Sequence, residues 1–299
     1  MKSNTRHSFI LKLLLWGIFC FPQFQFAQDK VPTRIKKATV LTPEEAGNRL
    51  QVFRDQRLSK DFTFQFELEH IPRRGDSSVY NGYLWGTWNE QGPLMRARFS
   101  INPDTISGPA LEIILQNGKR PRAWFRQIES TESQDPATLP AFIELPPTHW
   151  YRPILPQVDY TPFDLLMPFT YWDDTSYVGP EKVKGRPAQV YKALPPANFP
   201  GANLKFSSIN YALDDSYKAL LRVQLLDKEQ KSSQTFQILS FKKVEDEQWI
   251  VKTIDLINED TRDKARFKVK GAKLHGTLPG VVFDPSSKVI PQPGDLNRL

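Results

Sequence analysis

The 299-residue chain has one cysteine, Cys20, and it lies in a segment expected to be removed, so no disulfide supports the fold and the core must carry the stability alone. Histidine is nearly as scarce. The three beyond residue 27 are His70, His149 and His275, and none has a second metal ligand at the usual short spacing. There is no H-E-x-x-H, no G-x-S-x-G, no P-loop and no glycine-rich dinucleotide turn. These absences leave no recognised catalytic motif, metal site or cofactor site, and the chain reads as something other than an enzyme. Charge of one sign is also missing. Without Lys2, Arg6 and Lys12 the formal charge of +7 falls to +4, only mildly basic, and no nucleic-acid partner is implied.

What is present begins with the layout of a secretory signal peptide at residues 1–27. Those three cations precede or interrupt an apolar run over 9–21, too short for a membrane span, and cleavage is expected near Ala27. Cys20 sits between Phe19 and Phe21, unlike the small-residue site that lipidation enzymes read, so it is expected to be discarded with the signal. Residues 28–41 read as a flexible leader. Thr42-Pro43-Glu44-Glu45 then supplies a capping threonine, a proline at the first helical position and an N3 acid. Ala46, Leu50, Phe53 and Arg57 follow at helical spacing, which predicts about four turns with one face on a sheet.

From residue 60 the period changes to two. Phe62, Phe64, Phe66 and Leu68 alternate with Thr63, Gln65, Glu67 and Glu69, as in a half-buried strand. Further strands are expected at 79–88, 94–101, 111–116 and 122–128, and after the middle of the chain at 188–193, 207–213, 220–226, 235–244, 249–258 and 265–269, about ten or eleven in all. The proline-rich stretch 130–157 reads as a long surface connection. After it, Thr161-Pro162-Phe163-Asp164 repeats the cap, proline and acid layout, and Pro168 limits that helix to about two turns. Residues 276–299 are expected to form a loosely held tail after a single domain spanning 42–275. The fold class is mostly β (α+β): a single curved antiparallel sheet, an open half-barrel, with a few short helices as a partial lid.

The paired acids Asp173-Asp174 and Asp214-Asp215 read as turn caps rather than a general acid and base. Arg96, Arg98, Arg120, Arg122 and Arg126 on two neighbouring hairpins could meet an anionic head group or hold a lid through its carbonyls, but a solvated sheet face is the preferred reading. Aromatic and aliphatic residues remain. Two helices cannot cover the inner face of ten or so strands, so some apolar surface is left for a ligand. The candidate lipid-binding residues are Phe64, Phe66, Tyr83, Trp85, Leu165, Leu166, Met167, Phe169 and Trp172, with Phe62 beside them.

Asp164-Leu165-Leu166, Trp172-Asp173-Asp174, the Gly179 to Arg186 turn (G-P-E-K-V-K-G-R), the strand Val190-Tyr191-Lys192-Ala193-Leu194, and the later Phe241-Lys242-Lys243-Val244 and Trp249-Ile250-Val251 occur in an order that resembles the bacterial outer-membrane lipoprotein-sorting proteins of the LolA-like superfamily. The resemblance implies an open half-barrel with a helical lid. It also implies a periplasmic carrier that shields the acyl chains of lipoproteins or other lipids in transit to the outer membrane. The partners it implies are a lipoprotein or lipid cargo, an inner-membrane exporter and an outer-membrane acceptor, with only transient membrane contact. Two alternatives stay open: a sensor of the same fold that binds lipid or lipoprotein and regulates a partner protein, and an unrecognised periplasmic hydrolase.

Overall fold

The computed structural model describes residues 39–100, 109–129, 139–199 and 206–299. The segment expected to be a signal peptide, Cys20, most of the expected leader and residues 130–138 of the proline-rich stretch lie outside the described residues, as does the predicted end of the third strand at Ile101.

The two-residue alternation produces two antiparallel meanders. The first is β1 (Asp61–Ile71), β2 (Ser78–Asn89), β3 (Gly92–Ser100), β4 (Ala110–Gln116), β5 (Arg122–Ile128) and the short β6 (Ile143–Glu144). The second is β7 (Thr175–Val183), β8 (Arg186–Ala193), β9 (Ser208–Asp214), β10 (Leu220–Leu226), β11 (Ser232–Lys243), β12 (Trp249–Asn258) and β13 (Lys264–His275). Pairing of β1 with β13, from Asp61 opposite His275 to Ile71 opposite Lys264, joins them into one open sheet ordered β6-β5-β4-β3-β2-β1-β13-β12-β11-β10-β9-β8-β7. A final short strand, β14 (Asn297–Arg298), adds to β13 at Gly271 and Ala272, and brings the sheet to 14 strands among the described residues.

The strand count exceeds the ten or eleven expected because β6 and β14 are only two residues long and because β7 looks like a turn in sequence. Gly179-Pro180 reads as a break. The chain instead bulges there, between Tyr177 and Gly179, and Pro180 is tolerated because β7 is the outermost strand, where one face of the backbone needs no ladder donor. The only true turn in that motif is at Lys184 and Gly185, both with positive φ, 45° and 84°.

One face of the sheet is shaped by two glycines. Phe62, Phe64 and Phe66 of β1 pair with Gly86, Leu84 and Gly82 of β2, so these residues share a face. A Cβ at Gly82 would lie 2.4 Å from the Phe66 ring, and one at Gly86 would lie 2.1 Å from Phe62, so bulky rings occupy the space that the glycines leave. This face curves around the main core, to which strands of both meanders contribute: Phe66 and Phe99 on one side, Phe236, Ile254 and Leu256 on the other. Helix α1 (Pro43–Arg54) is capped as predicted, by the reciprocal Thr42 and Glu45 box, and is slightly shorter than expected. It buries Ala46, Leu50 and Phe53, is tied to the second meander by Arg49–Asp215 (2.9 Å), and accepts at the Ala46 carbonyl from the Tyr191 hydroxyl (2.9 Å). No helix among the described residues is long and apolar enough to cross a membrane.

The outer face corrects two expectations. Arg96, Arg98 and Arg126 are not solvated: all three are buried around Glu112, which is fully enclosed. Arg98, Glu112 and Arg126 lie directly opposite one another across β3, β4 and β5, and Arg96 reaches the same carboxylate diagonally, with contacts of 2.6–2.8 Å. Burial alone would raise the Glu112 pKa, but the three guanidinium groups overcome it and hold the carboxyl below its usual range. Arg122 and Arg120 do remain at the surface, Arg122 paired with Glu144. The second correction is the tail. Arg96 donates to the carbonyls of Val282 (2.9 Å) and Val289 (2.8 Å), and Arg126 donates to that of Ser287 (3.2 Å). Val282 and Phe283 bury themselves against Tyr83 and Trp85. Residues 276–299 are therefore a docked strap across the outer face rather than a loose end.

Of the acid pair Asp214-Asp215, Asp214 behaves as a turn cap, whereas the Asp215 carboxylate accepts from Arg49 and Gln189. Asp214 accepts from the amides of Ser216 (2.9 Å) and Tyr217 (2.8 Å) and pairs with Arg186. Because Glu112 is, among the described residues, the one counter-charge shared by three buried arginines, Glu112→Gln should destabilise the protein by about 3–5 kcal/mol in denaturant unfolding, with the strap becoming the first site of limited proteolysis. A change under about 1 kcal/mol would show that the strap carbonyls alone neutralise the arginines.

Candidate functional site

Between the inner face of the sheet and the segment 146–172 lies a cavity of about 1350 Å³ of empty space, its mouth included. Most of its walls are strand residues of both meanders: Phe64, Phe66 and Leu68 from β1, Met95, Ala97 and Phe99 from β3, and Phe236, Ile238, Ile254 and Phe267 from β11, β12 and β13. Phe53 of α1 closes part of one side. Polar lining is confined to a few side chains, among them Gln56, Tyr160, Asp164 and Thr170, and no lysine or arginine is among the lining residues.

The cover is built from more of the chain than the sequence suggested. Its first half, read as a surface connection, folds onto the sheet: Trp150, Leu155 and Val158 are buried, and Ile154, Leu155 and Val158 line the cavity. The Trp150 indole N–H donates to the Leu145 carbonyl (3.1 Å), and the Phe163 amide donates to the Trp150 carbonyl (3.0 Å), which locks this half to the next. Helix α2 (Pro162–Leu166) follows. Thr161 Oγ1 accepts from the Asp164 amide (3.2 Å), and Asp164 Oδ2 accepts in return from the Thr161 amide (2.9 Å) and hydroxyl (2.7 Å). Met167 then adopts a left-handed conformation, φ 47°, and Pro168 opens a 3-10 turn over Pro168–Tyr171. The helix is as short as its cap and its proline predict.

Hydrogen bonds from α1 and from the β4–β5 turn help to hold this cover down. The Arg54 guanidinium on α1 donates to the carbonyls of Thr170 (2.6 Å) and Trp172 (3.0 Å), and the Asn117 side-chain amide donates to that of Leu166. An aromatic cluster backs the helix, with Phe163, Phe169, Trp172, Phe206 and Tyr211 at ring separations of 5.3–6.5 Å.

The sequence candidates divide into three groups. Phe64, Phe66, Leu165 and Met167 line the cavity. Leu166, Phe169 and Trp172 are buried in the core behind the cover and are not among the lining residues. Tyr83 and Trp85 lie on the outer face beneath the strap. They are opposite Gln65 and Thr63, which puts them one residue out of phase with Phe64 and Phe66. Phe62 packs in a separate small cluster with Phe64 and Leu274. Sequence reasoning missed the walls supplied by β3 and β11–β13, although the alternation of Phe236 and Ile238 with Thr235 and Gln237 carries that signal. It also missed the polar pair Tyr160 and Asp164. Among the described residues no cluster of His, Cys, Asp and Glu could hold a metal ion.

Asp164 is the one acid on the cavity wall. Burial pushes its pKa up to about 6, against the lowering effect of the hydrogen bonds from Thr161 and Gln234; nearby Asp159 raises it further. Burial likewise raises the pKa values of Tyr160 and Tyr151, and for both the adjacent Asp164 charge adds to the effect.

No protein-family model matches the sequence, and no curated protein matches it. Solved structures do. The domain named as an outer membrane lipoprotein-sorting protein from Vibrio parahaemolyticus aligns with a TM-score of 0.63 at 15% identity, over 81% of this chain and 94% of that one. A DUF1329 family protein from Desulfovibrio piger gives 0.63 at 15% identity, over 82% and 98%. A LolA superfamily protein from Nitrosomonas europaea gives 0.54 at 13% identity, over 82% and 98%. The chain thus has a LolA-like fold, as the order of its sequence motifs suggested.

Because the folded-state pKa of Asp164 is raised above its ordinary value of 3.8, the folded protein holds this proton more tightly than the unfolded chain. Its ionisation therefore costs stability as pH rises from about 4 through about 6, and the cost persists above that range. Asp164→Asn keeps an acceptor for Thr161 and removes the charge. Denaturant unfolding should show the variant more stable at pH 7.5 by up to about 3 kcal/mol, with the difference closing towards pH 4. A gain that does not vary with pH would contradict this assignment.

Proposed function

We propose that this protein is a carrier that shields the acyl chains of lipoproteins or other lipids during their passage across the periplasm towards the outer membrane. The observation that supports this most directly is the apolar cavity itself: a wide curved sheet face that two short helices and a looped cover leave unfilled. Its walls offer dispersion contacts and desolvation rather than directed polar contacts. The name of the Vibrio relative, a lipoprotein-sorting domain, favours the same reading, as does the signal peptide layout at residues 1–27. On this reading the protein is a binding protein rather than an enzyme, and its partners are an inner-membrane donor and an outer-membrane acceptor.

The cover suits a carrier. It is held to α1 by the two Arg54 hydrogen bonds to backbone carbonyls, contacts that can open without exposing a buried charge, and it carries cavity-lining residues on its inner side. A sensor that regulates a partner would use the same cavity but needs a stable protein interface. The exposed β7 edge is poorly suited to strand addition, since it carries a bulge at Gly179, Pro180 and the charges of Glu181 and Lys182.

A fluorescent acylglycerol tests the proposal. The full chain should bind it, and Leu165→Glu, which sets a carboxylate on the cavity wall from a half-buried position on α2, should weaken binding on the order of tenfold or more with an unchanged melting temperature. Absence of binding by the unaltered protein would overturn the carrier reading.

A further inference from the structure

Tyr160 and Asp164 set polar groups on a cavity wall that is otherwise largely apolar. Tyr160 is 3% exposed, lines the cavity with its ring 6.3 Å from that of Phe236, and its hydroxyl has no hydrogen-bond partner. The hydroxyl of Tyr151, on the preceding loop of the cover and with its ring 5.0 Å from Phe163, is likewise buried and unpartnered. Asp164 lies beside both tyrosines and lines the cavity; its Oδ2 is already committed to Thr161, and its carboxylate also accepts from Gln234. A buried O–H without an acceptor costs about 1–3 kcal/mol, and in a native protein it calls for an explanation, a partner from outside the chain among them. A ligand that satisfied the Tyr160 hydroxyl would have to bring a hydrogen-bond acceptor to it.

Two features restrict which acceptor it is. Among the described residues none that lines the cavity is a lysine or arginine, so an anionic head group would meet no counter-charge from them. Asp164 would also face a bound carboxylate at short range in a poorly screened site, where like charges repel strongly. An ester or amide carbonyl satisfies the tyrosine without adding charge, and an adjoining amide N–H or glycerol hydroxyl can donate to the aspartate. We infer that Tyr160 and Asp164 form a polar subsite that takes the uncharged linkage of an ester- or amide-bound acyl chain and excludes a free fatty acid. This rests on the carrier reading and narrows it to neutral acyl lipids.

The test is displacement of the fluorescent acylglycerol from the full chain at pH 7.5 by a monoacylglycerol, by the fatty acid of equal chain length and by the corresponding alkane. The monoacylglycerol should compete on the order of tenfold better than the fatty acid. Asp164→Asn should remove most of that preference by improving fatty-acid binding. Tyr160→Phe should weaken the monoacylglycerol about fivefold and leave the alkane unchanged, which separates loss of the acceptor's partner from damage to the cavity. Equal competition by monoacylglycerol and fatty acid in the unaltered protein, or an undiminished preference in Asp164→Asn, would overturn the subsite while leaving the carrier reading intact. Failure of the fluorescent acylglycerol itself to bind would remove both.

Discussion

The pairing of β1 with β13 is the interaction on which the rest depends. Every other neighbour on the path from β6 to β7 is also next in sequence and needs only a local turn or connection; this one joins the two ends of the strand-rich region along eleven residue pairs. It sets Phe64 and Phe66 beside Val269 and Phe267, in the middle of the inner face, and so turns two separate meanders into one surface wide enough to curve around a cavity. Loss of this seam would leave two narrow sheets, each able to bury little.

The apolar surface of this sheet is covered differently on its two faces. On the outer face the C-terminal strap lies over Tyr83 and Trp85 and accepts hydrogen bonds from the arginines gathered at Glu112. Charge is concentrated there and locked. On the inner face the cover is short, its helix stopped at Met167 and Pro168, and apolar wall is left uncovered. The cationic side chains that strengthen the outer face are absent from the cavity lining, and this separation is what makes the inner face suitable for a neutral acyl chain.

Much of the fold was readable from the residues. The two capping boxes, at Thr42 and Thr161, announce α1 and α2 because a cap is a local signal that needs no tertiary information. Eleven of the strands follow from alternation. The strands missed are the two-residue β6 and β14, too short to show a period, and β7, where an edge position and a bulge permit Gly179-Pro180 inside a strand. The site was half legible. Phe64 and Phe66 were placed by period, but Tyr83 and Trp85 could not be assigned a face without the register between β1 and β2, and register is a property of the pair rather than of either strand. Nor does composition distinguish Leu165, on the cavity wall, from Leu166, in the core behind it, since a turn of helix separates adjacent residues by roughly 100°. The burial of Arg96, Arg98 and Arg126 was invisible for a related reason: their partner Glu112 is on the next strand, and the strap that covers them arrives from the end of the chain.

The central claim is that the cavity holds an acyl chain, and the most direct measurement is native mass spectrometry of the full-length protein after export to a bacterial periplasm. The account predicts a population heavier than the polypeptide by the mass of an acyl lipid, lost on extraction with organic solvent and depleted in Leu165→Glu. A protein that is consistently found at its polypeptide mass alone, under conditions that preserve other lipid carriers with their cargo, would contradict it.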